Sequence, residues 1–373
     1  MNYYERAQEL NEETIANRRY FHTNAEVGLD MPKAKAYVMK KLTEYGLEPK
    51  ECGYGVTATL GHGGKCIMLR ADMDALPFDE NGKIVMKHAC GHDANCSIGL
   101  EASRLIKEDG IAKGRFFSVF QPAEEGTGGA LSVVNSGLVD DLDELIGVHL
   151  LNNDEEKGPV GAICPALHHC GAAQVHAVYH GRSAHGSKPW EGINAFEAVL
   201  LAANGLALIH GPVDKRWSVK TTKVNTGAGG INTIPDTAEI GIDVRCDDNR
   251  EMEILLSKIG NVINKAGETV GATTELDPLW FNPASENSTE LTDTVKEVIK
   301  EVLGEEFLTE EIHSSGAEDF VEFNKIPGIK TVYIALNGHV INGLHHAEMS
   351  YDDSVLDGVA EVLKSFVIKR LNY

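Results

Sequence analysis

The chain has 373 residues, of which 42% are hydrophobic and 24% charged. Because single hydrophobic cores stop growing at about 250–300 residues, this length favours two domains, and the composition is that of a globular rather than a disordered chain. A formal net charge of −22 at pH 7 disfavours nucleic acid and anionic membranes as partners. The start, MNYYERAQELNEETIANRRYFH, has no apolar export segment, and no run of about 18 apolar residues follows, so we expect a soluble, cytoplasmic protein.

Strand-like and helical segments alternate in the first half of the chain. CIMLRADMDAL predicts a strand, SIGLEASRLIKEDG a helix, GRFFSVFQPAEEG a strand, ALSVVNSGL a helix and ELIGVHL a strand. This alternation indicates a mainly parallel sheet covered by helices. Functional residues gather at the carboxyl ends of strands in such sheets, which is where RADMDALP, QPAEEG and VHLLN stand.

The pattern changes near Ala172. AQVHAVYHG, INAFEAVLLAANGLALIH, WSVKTTKVNTG, AEIGIDVRC, EMEILLSKIGNVINKAGETV and TTELDPLW follow the order βαββαβ, which is typical of a two-layer sandwich. After the polar break NPASENS, helix, strand and helix resume in DTVKEVIKEVLG, IKTVYIAL and DDSVLDGVAEVLKSFV. We therefore predict an α/β domain, mainly parallel, formed by residues 1–171 and 285–373, with an α+β sandwich inserted at residues 172–284.

Two short motifs indicate a metal-dependent hydrolase. In HACGHD, Cys90 and His92 stand two residues apart before a predicted helix, so a thiolate and an imidazole can face one point. In QPAEEG, Glu124 and Glu125 follow a strand, and adjacent side chains diverge there. One carboxylate can bind a metal ion while its neighbour acts as a base toward water.

Each of these motifs is weak by itself, because a lone cysteine is most often a small buried hydrophobe and a Glu pair is usually a solvated turn. Histidines at the ends of other elements strengthen the interpretation: His149 in GVHLLN, and His345 with His346 in GLHHAE. The seven cysteines are odd in number, scattered and without a CxxC pair, which argues against a disulfide framework and a structural zinc ribbon.

Taken together, the motifs resemble a known superfamily over nearly the whole chain. RADMDALP, HACGHD, FQPAEEGTGGA, GVHL, GRSAHGSKPWEG, INTIPDTAEIGIDVR, SSGAEDF and GLHHAEMSYDD occur in the order seen in the metallo-aminoacylase and carboxypeptidase superfamily. They are similar to its amidohydrolase branch, which includes hippurate, auxin-conjugate and p-aminobenzoyl-glutamate hydrolases and N-acetyl-diaminopimelate deacetylases. HACGHD with FQPAEEG is the specific combination, whereas GVH or DVR alone carries no information.

The resemblance implies two divalent ions and a general base, Glu124. The implied metal ligands are Cys90, His92, Glu125, His149 and His345. His346 is the alternative to His345, which is preferred for its place in the Leu-His-x pattern of the branch. Cysteine with histidine favours Zn²⁺, while carboxylates in an open two-metal site admit Mn²⁺. Asp72 is expected to support a metal-bound histidine, the alternative being a plain carboxylate at a strand end.

The inserted segment is implied to be a lid and dimerisation domain that gives a homodimer. His185 in GRSAHG resembles the residue that reaches the substrate carbonyl and stabilises an oxyanion, although a structural histidine is an equal alternative. Asn232 and Arg245 resemble residues that hold the free carboxylate of the substrate, and a surface ion pair is the alternative for Arg245. Gly316 in SSGAEDF is expected to let the backbone approach the ligand.

One position departs from the branch. Three residues beyond His92, where the branch usually has histidine, this chain has Asn95, and Cys96 follows in place of the common threonine. Neither position is among the implied ligands, but the change bears on the residues around them and on substrate choice.

The predicted activity is hydrolysis of the amide bond of a small N-acyl or N-aroyl amino acid with a free carboxylate, p-aminobenzoyl-glutamate being favoured. Metal-bound water is the expected nucleophile, and Glu124 the group that accepts its proton. The alternatives are a dipeptidase or carboxypeptidase, an N-acetyl-amino-acid deacetylase on the same scaffold, and a metal-stabilised binding protein without turnover.

Overall fold

The chain is divided into two compact units in the computed structural model, which describes residues 3–126, 128–227, 229–277 and 280–372. The first unit consists of Met1–His168, Glu286–Ser314 and Asp319–Tyr373, and the second of His169–Ser285 and Ser315–Glu318. The catalytic and lid functions expected of the two parts stay predictions.

Helices and strands alternate through most of the described chain. The α-helices are α1 (Tyr3–Thr23), α2 (Pro32–Glu44), α3 (His92–Asp109), α4 (Gly129–Val134), α5 (Ala195–Ala207), α6 (Asn249–Val270), α7 (Thr289–Val302) and α8 (Leu356–Asn372). The strands are β1 (Pro49–Cys52), β2 (Gly55–His62), β3 (Cys66–Asp72), β4 (Leu76–Glu80), β5 (Lys83–Lys87), β6 (Gly114–Gln121), β7 (Glu144–Leu150), β8 (Ile163–Cys164), β9 (Leu167–His169), β10 (Gly171–His180), β11 (Ala184–His185), β12 (Trp217–Thr226), β13 (Thr233–Ile234), β14 (Thr237–Cys246), β15 (Thr273–Leu276), β16 (Trp280–Asn282), β17 (Ile312–Ser314) and β18 (Lys330–Leu336). No helix of the described residues is long and apolar enough to cross a bilayer.

The large sheet of the first unit has the strand order β1-β2-β6-β3-β7-β18-β8. Its four central strands, β6, β3, β7 and β18, run parallel, whereas β1, β2 and β8 pair antiparallel at the edges. Strands joined by a helix become parallel because the crossover returns the chain to the same end of the sheet. The predicted α/β class is therefore confirmed, with the correction that the sheet is parallel in its centre and mixed as a whole.

Both faces of this sheet are buried. Ile67 and Leu69 of β3 pack in the core formed with α1, α3, α7 and α8. Cys66 and Met68, which point the opposite way because side chains alternate along a strand, pack in a core that includes Val133 of α4. Burial on both sides explains why β3 and β7 are continuous apolar runs rather than alternating ones.

The second unit is an antiparallel sheet with two helices. Its strands have the order β12-β14-β10-β15, and β16 also pairs with β10. Residues of β14 alternate between buried and half-buried, and its buried Ile240 and Ile242 share a core with Val199 of α5 and Ile259 of α6. This confirms the predicted α+β sandwich. The predicted last strand, TTELDPLW, ends earlier, at Leu276, and residues 278 and 279 of that segment lie outside the described residues.

Helix α3 begins earlier than the sequence predicted. The apolar pattern was expected to start the helix at Ser97, but its first residue is His92. The first turn is polar and therefore carries no apolar periodicity. Gly91, in the left-handed conformation with a φ of 85°, ends the preceding loop and allows the chain to turn into the helix. Cys90 thus lies on the loop and His92 at the start of the helix.

Candidate metal centre

The predicted ligands and base come from separate segments of the first unit and lie together. They form three overlapping groups, within each of which the candidate ligand atoms are no more than 4.8 Å apart: Cys90 with His92 and His149; Cys90 with Glu125 and His345; and His92 with Glu124 and Glu125. Two of the groups share Cys90. Cys90 would therefore help to hold either of two ions.

Cys90 and His149 face each other inside the protein. The Cys90 Sγ atom lies 3.5 Å from Nε2 of His149. His149 Nδ1 donates a hydrogen bond of 2.7 Å to the carbonyl oxygen of Leu150. In the neutral ring Nε2 therefore carries a lone pair, and this lone pair faces the thiol. Burial raises the pKa of the Cys90 thiol well above its ordinary value. A thiolate here therefore requires a nearby cation.

His92 is fully buried, with one ring nitrogen satisfied and one not. Its Nδ1 donates to the carbonyl oxygen of Asp74 at 2.9 Å. Its Nε2 has no hydrogen-bond partner among the described residues. A buried polar atom without a partner is costly, and a metal ion would satisfy it. This atom is the clearest indication in the structure that an ion fits the group.

The turn after β6 separates the two glutamates. The Asp74 carboxylate accepts hydrogen bonds from the backbone N–H of Glu124 at 2.9 Å and of Glu125 at 3.0 Å. Glu125 Oε1 lies 3.0 Å from Nε2 of His345. Burial opposes ionisation of Glu125, but His345 and the charge of His92 outweigh it and lower the pKa of Glu125. Glu124 instead accepts a hydrogen bond of 3.3 Å from the backbone N–H of Asp319.

Of the two neighbouring histidines, the structure brings His345 into the group. His345 has a φ of 65°, a left-handed conformation that is uncommon outside glycine, and its backbone N–H donates to the carbonyl oxygen of Ala89. Nδ1 of His346 accepts a hydrogen bond from the backbone N–H of Glu348. His346 belongs to none of the groups found among the described residues.

Asp72 is placed differently from the role expected of it. Its Oδ2 lies 4.0 Å from Nε2 of His92, the nitrogen that faces the candidate ligands, while Nδ1 is held by Asp74. Asp72 Oδ1 accepts from Asn95 Nδ2 at 2.7 Å, and Cys96 Sγ donates to its carbonyl oxygen at 2.9 Å. Both departing positions therefore contact Asp72. Asp74, which supports His92 and the glutamate turn, was missed, and the only signal for it was the second acid in RADMD.

The four residues expected to contact substrate belong to the second unit. His185 is exposed and its Nδ1 accepts from the backbone N–H of Ser187. The Asn232 carbonyl oxygen accepts from Gly186 N, and the Gly316 carbonyl oxygen accepts from Cys170 N. Arg245 donates to both carboxylate oxygens of Asp243, at 3.1 and 3.2 Å, as in the ion-pair alternative. Their roles in substrate binding stay predictions.

The donors suit a divalent transition ion. A thiol, three imidazole nitrogens and carboxylate oxygens are ligands that Zn²⁺ accepts, and the carboxylates also suit Mn²⁺. A cluster of this kind at the carboxyl end of a parallel sheet is typical of metal-dependent hydrolases.

Comparison with known proteins identifies the family. Residues 68–369 match the model of Peptidase family M20/M25/M40. Thermostable carboxypeptidase 2 of Saccharolobus solfataricus is 30% identical in an alignment of 350 residues, with 86% of each chain covered. The hippurate hydrolase of Campylobacter jejuni is 30% identical in an alignment of 372 residues, with 95% of each chain covered. The structure of the Bacillus subtilis YXEP protein, a dinuclear metal binding peptidase, superposes with a TM-score of 0.84 at 22% identity, covering 98% of this chain and 99% of that one.

The chain is therefore a hydrolase that belongs to Peptidase family M20/M25/M40. This finding confirms the resemblance drawn from the motifs, and the fold of the Bacillus protein confirms the predicted fold class.

Proposed function

We propose that the protein hydrolyses the amide bond of a small N-aroyl or N-acyl amino acid with a free carboxylate, a p-aminobenzoyl-glutamate-like compound being the favoured substrate. The observation that carries the proposal is the meeting of five candidate ligands with one further carboxylate, Glu124, one oxygen of which accepts a hydrogen bond from the backbone N–H of Asp319. The similarity to a hippurate hydrolase over 95% of both chains supports an N-aroyl amino acid, since hippurate is one.

Cys90, His92, Glu125, His149 and His345 would hold two divalent ions, Zn²⁺ or Mn²⁺. When bound, such ions polarise the amide carbonyl and lower the pKa of water at the site.

The proton transfers fall to Glu124. One of its oxygens is held by the backbone N–H of Asp319, and the other, Oε2, lies 3.9 Å from Nε2 of His92 and so faces the candidate ligands. In this position the carboxylate takes a proton from the attacking water and returns it to the amine that leaves.

Residues of the second unit are proposed to bind the substrate. A backbone N–H donates to Nδ1 of His185, so the proton of the neutral ring is on Nε2, which can donate to a developing oxyanion. Asn232 and Arg245 are proposed to hold the substrate carboxylate. Arg245 already donates to Asp243, so a second carboxylate would use its remaining N–H groups.

A panel of amides tests the activity. Hippurate, p-aminobenzoyl-glutamate and N-acetyl amino acids are compared with dipeptides, using protein loaded with Mn²⁺ or with Zn²⁺. We expect the aroyl amino acids to be cleaved with the highest kcat/KM. The Glu124→Gln variant should keep its metal and lose activity by about 10²–10⁴-fold, the range of general-base catalysis. Wild-type turnover by this variant would exclude Glu124 as the base.

A carboxypeptidase is the second candidate, favoured by the similarity to thermostable carboxypeptidase 2 over 86% of both chains. Faster cleavage of dipeptides than of every aroyl or acetyl amino acid would select it.

The second unit is also proposed to act as a lid and to form a homodimer. Sedimentation of the full chain tests the assembly, and a monomer at all concentrations would contradict it.

A further inference from the structure

We propose that Arg70 and Asp319 form a positioning pair that fixes the orientation of Glu124. The proposal rests on the function proposed above, in which Glu124 moves the proton. It adds Arg70 of RADMDALP and Asp319 of SSGAEDF, to which no role was assigned from the sequence, and it concerns how the base is oriented.

Arg70 lies on β3 and is fully buried, which is unusual for a cation. Each part of its guanidinium group has a partner. Nε donates to Oε1 of Gln121 at 2.9 Å, Nη2 donates to Oδ1 of Asp319 at 2.9 Å, and Nη1 donates to Asp72 and, at 3.2 Å, to the hydroxyl of Tyr333. The planar fork therefore joins four groups in one arrangement.

Asp319 connects this buried cation to the base. Its carboxylate accepts from Arg70, from Nε2 of Gln121 at 2.8 and 2.9 Å, and from the backbone N–H of Ala130 at 2.9 Å. Its own backbone N–H donates to Oε1 of Glu124 at 3.3 Å. The side chain of Asp319 is thus fixed by three residues, and its backbone holds one oxygen of Glu124.

The other end of the guanidinium group is fixed as well. Asp72 accepts from Arg70 and from Asn95, and Asp72 and Asn95 are both fully buried. A buried cation between the buried carboxylate of Asp72 and the half-buried carboxylate of Asp319 is stable only while both contacts are made, which holds Arg70 in place. Asn95, one of the departures from the branch, supplies a donor that does not titrate.

The consequence is a fixed direction for Glu124. Hydrogen bonding of Oε1 to the Asp319 amide leaves Oε2 toward the candidate ligands. An error of about 1 Å in the placement of a catalytic group costs about 10²-fold in rate. Loss of the Asp319 carboxylate contacts frees the segment that carries this amide, so the base would sample orientations that do not reach the water.

The test uses the full-length, metal-loaded protein with Asp319→Asn, Gln121→Met and Arg70→Lys. Gln121→Met keeps the size of the side chain and removes its contacts to Asp319, so it serves if the other two variants do not fold. We expect kcat on the best substrate of the panel to fall about 10–100-fold, with KM within about 3-fold of wild type and bound metal unchanged.

Glu144→Gln is the matched control. Glu144 is a buried carboxylate that accepts from Arg370 and lies 2.9 Å from Lys65, at the opposite end of β7 from His149. It has no contact with Glu124 among the described hydrogen bonds. This variant should melt at a lower temperature than wild type but keep its kcat. An equal loss of kcat in Glu144→Gln would show a general effect of destabilisation and would overturn the proposal.

Asp319→Asn in the Glu124→Gln background separates positioning from other effects. If Asp319 acts through Glu124, the second substitution should change the residual rate less than about 2-fold. A further 10-fold loss, a loss of bound metal, or an unchanged kcat in folded Asp319→Asn would each overturn the proposal. If the wild type cleaves no amide, the proposed function fails instead. A crystal structure of Asp319→Asn then still tests the pair, and Glu124 Oε1 remaining on the residue 319 amide would refute it.

Discussion

His345 combines a rare backbone conformation with a position among the candidate ligands. A non-glycine residue with a φ of 65° carries strain that persists only where the surrounding structure enforces it, and such residues cluster at functional sites. The backbone N–H of His345 is held by the Ala89 carbonyl, one residue before Cys90. The strained backbone therefore links two of the candidate ligands, while His346, next in the chain, turns away to Glu348.

Substitution of the two histidines distinguishes them. His345→Ala should reduce the bound divalent metal per chain, because it removes a ligand of the Cys90, Glu125, His345 group. His346→Ala should leave the metal content and the activity within about 2-fold of wild type. Metal analysis after gel filtration measures both. The reverse pattern would assign the ligand to His346.

Glu101 is a second residue with an energetic cost, because its carboxyl group is buried. It is 2% exposed, and its Oε2 accepts a hydrogen bond of 2.5 Å from the Thr14 hydroxyl. Burial, with the nearby Asp357 and Glu361, raises the pKa of Glu101 to about 8 from an ordinary value of 4.5. At neutral pH this carboxyl is therefore largely protonated in the folded chain.

The raised pKa of Glu101 makes the stability depend on pH. The unfolded chain releases this proton near pH 4.5, whereas the folded chain releases it only near pH 8. The contribution of protonated Glu101 to the free energy of unfolding is therefore complete below pH 4.5 and is lost as the pH rises to about 8. Glu101→Gln removes this dependence. Relative to wild type, the variant should gain on the order of 4 kcal/mol between pH 5 and pH 8.5, as measured by urea unfolding. Parallel pH profiles would contradict the assignment.

The sequence predicted roles for residues whose donor chemistry is evident within a motif. It missed Arg70 of RADMDALP and Asp319 of SSGAEDF, which act through distant contacts. Cys90, His92 and the glutamate pair stood in short distinctive segments. Arg70 and Asp319 are 249 residues apart in the chain, and nothing local predicts that they meet. A supporting role was predicted for Asp72 and none for Asp74, although both acids stand in RADMD, because only the direction of each side chain distinguishes them.

The start of α3 determines where two candidate ligands lie. Gly91 has a φ of 85°, and a Cβ built on it would lie 2.6 Å from Cδ1 of Leu150, a buried residue next to His149. Gly271, directly after α6, is also left-handed, with a φ of 78° and a ψ of 16°, and a Cβ there meets nothing within 4 Å. Both positions require a left-handed backbone, but only a side chain at position 91 would push against a neighbouring residue.

Alanine substitution at each glycine distinguishes the cost of backbone strain from the displacement of the candidate ligands. Both Gly91→Ala and Gly271→Ala should lose about 1–2 kcal/mol of stability through the left-handed backbone. Only Gly91→Ala also pushes against Leu150 and shifts Cys90 and His92, so it alone should bind metal more weakly. Metal titration and thermal unfolding report the two effects. Equal metal affinity in both variants would show that the Leu150 contact does not control the site.

Regular elements with a strong pattern were predictable, and short polar ones were not. The alternation in β14 and the apolar runs of β3 and β7 predicted those strands, because one or both faces are buried. The hairpin of β4 and β5 was missed, since its residues are largely exposed and carry no clear period. The predicted strand CIMLRADMDAL instead ends at Asp72, where the loop to the site begins.

Each unit of the molecule has its own hydrophobic core, built without the candidate ligands. In the first unit, helices on one face of the sheet bury residues such as Ile98, Val295 and Val359. In the second, Ile240 and Ile259 belong to a separate core. All seven cysteines are free thiols. Neither disulfides nor metal ions are therefore needed to bury the apolar residues, in contrast to small metal-dependent domains.

Removal of the metal should accordingly lower the stability without unfolding the chain. An ion that binds only the folded state at 100–1,000 times its Kd contributes about 3–4 kcal/mol, so chelation should lower the Tm by several degrees. The far-UV circular dichroism at 25 °C should stay unchanged, because the cores remain. Cys90→Ser, which lacks the thiol shared by two of the ligand groups, should respond less to the chelator. Loss of helix content on chelation at 25 °C would instead indicate that the ions hold the fold together, as in a metal-stabilised binding protein.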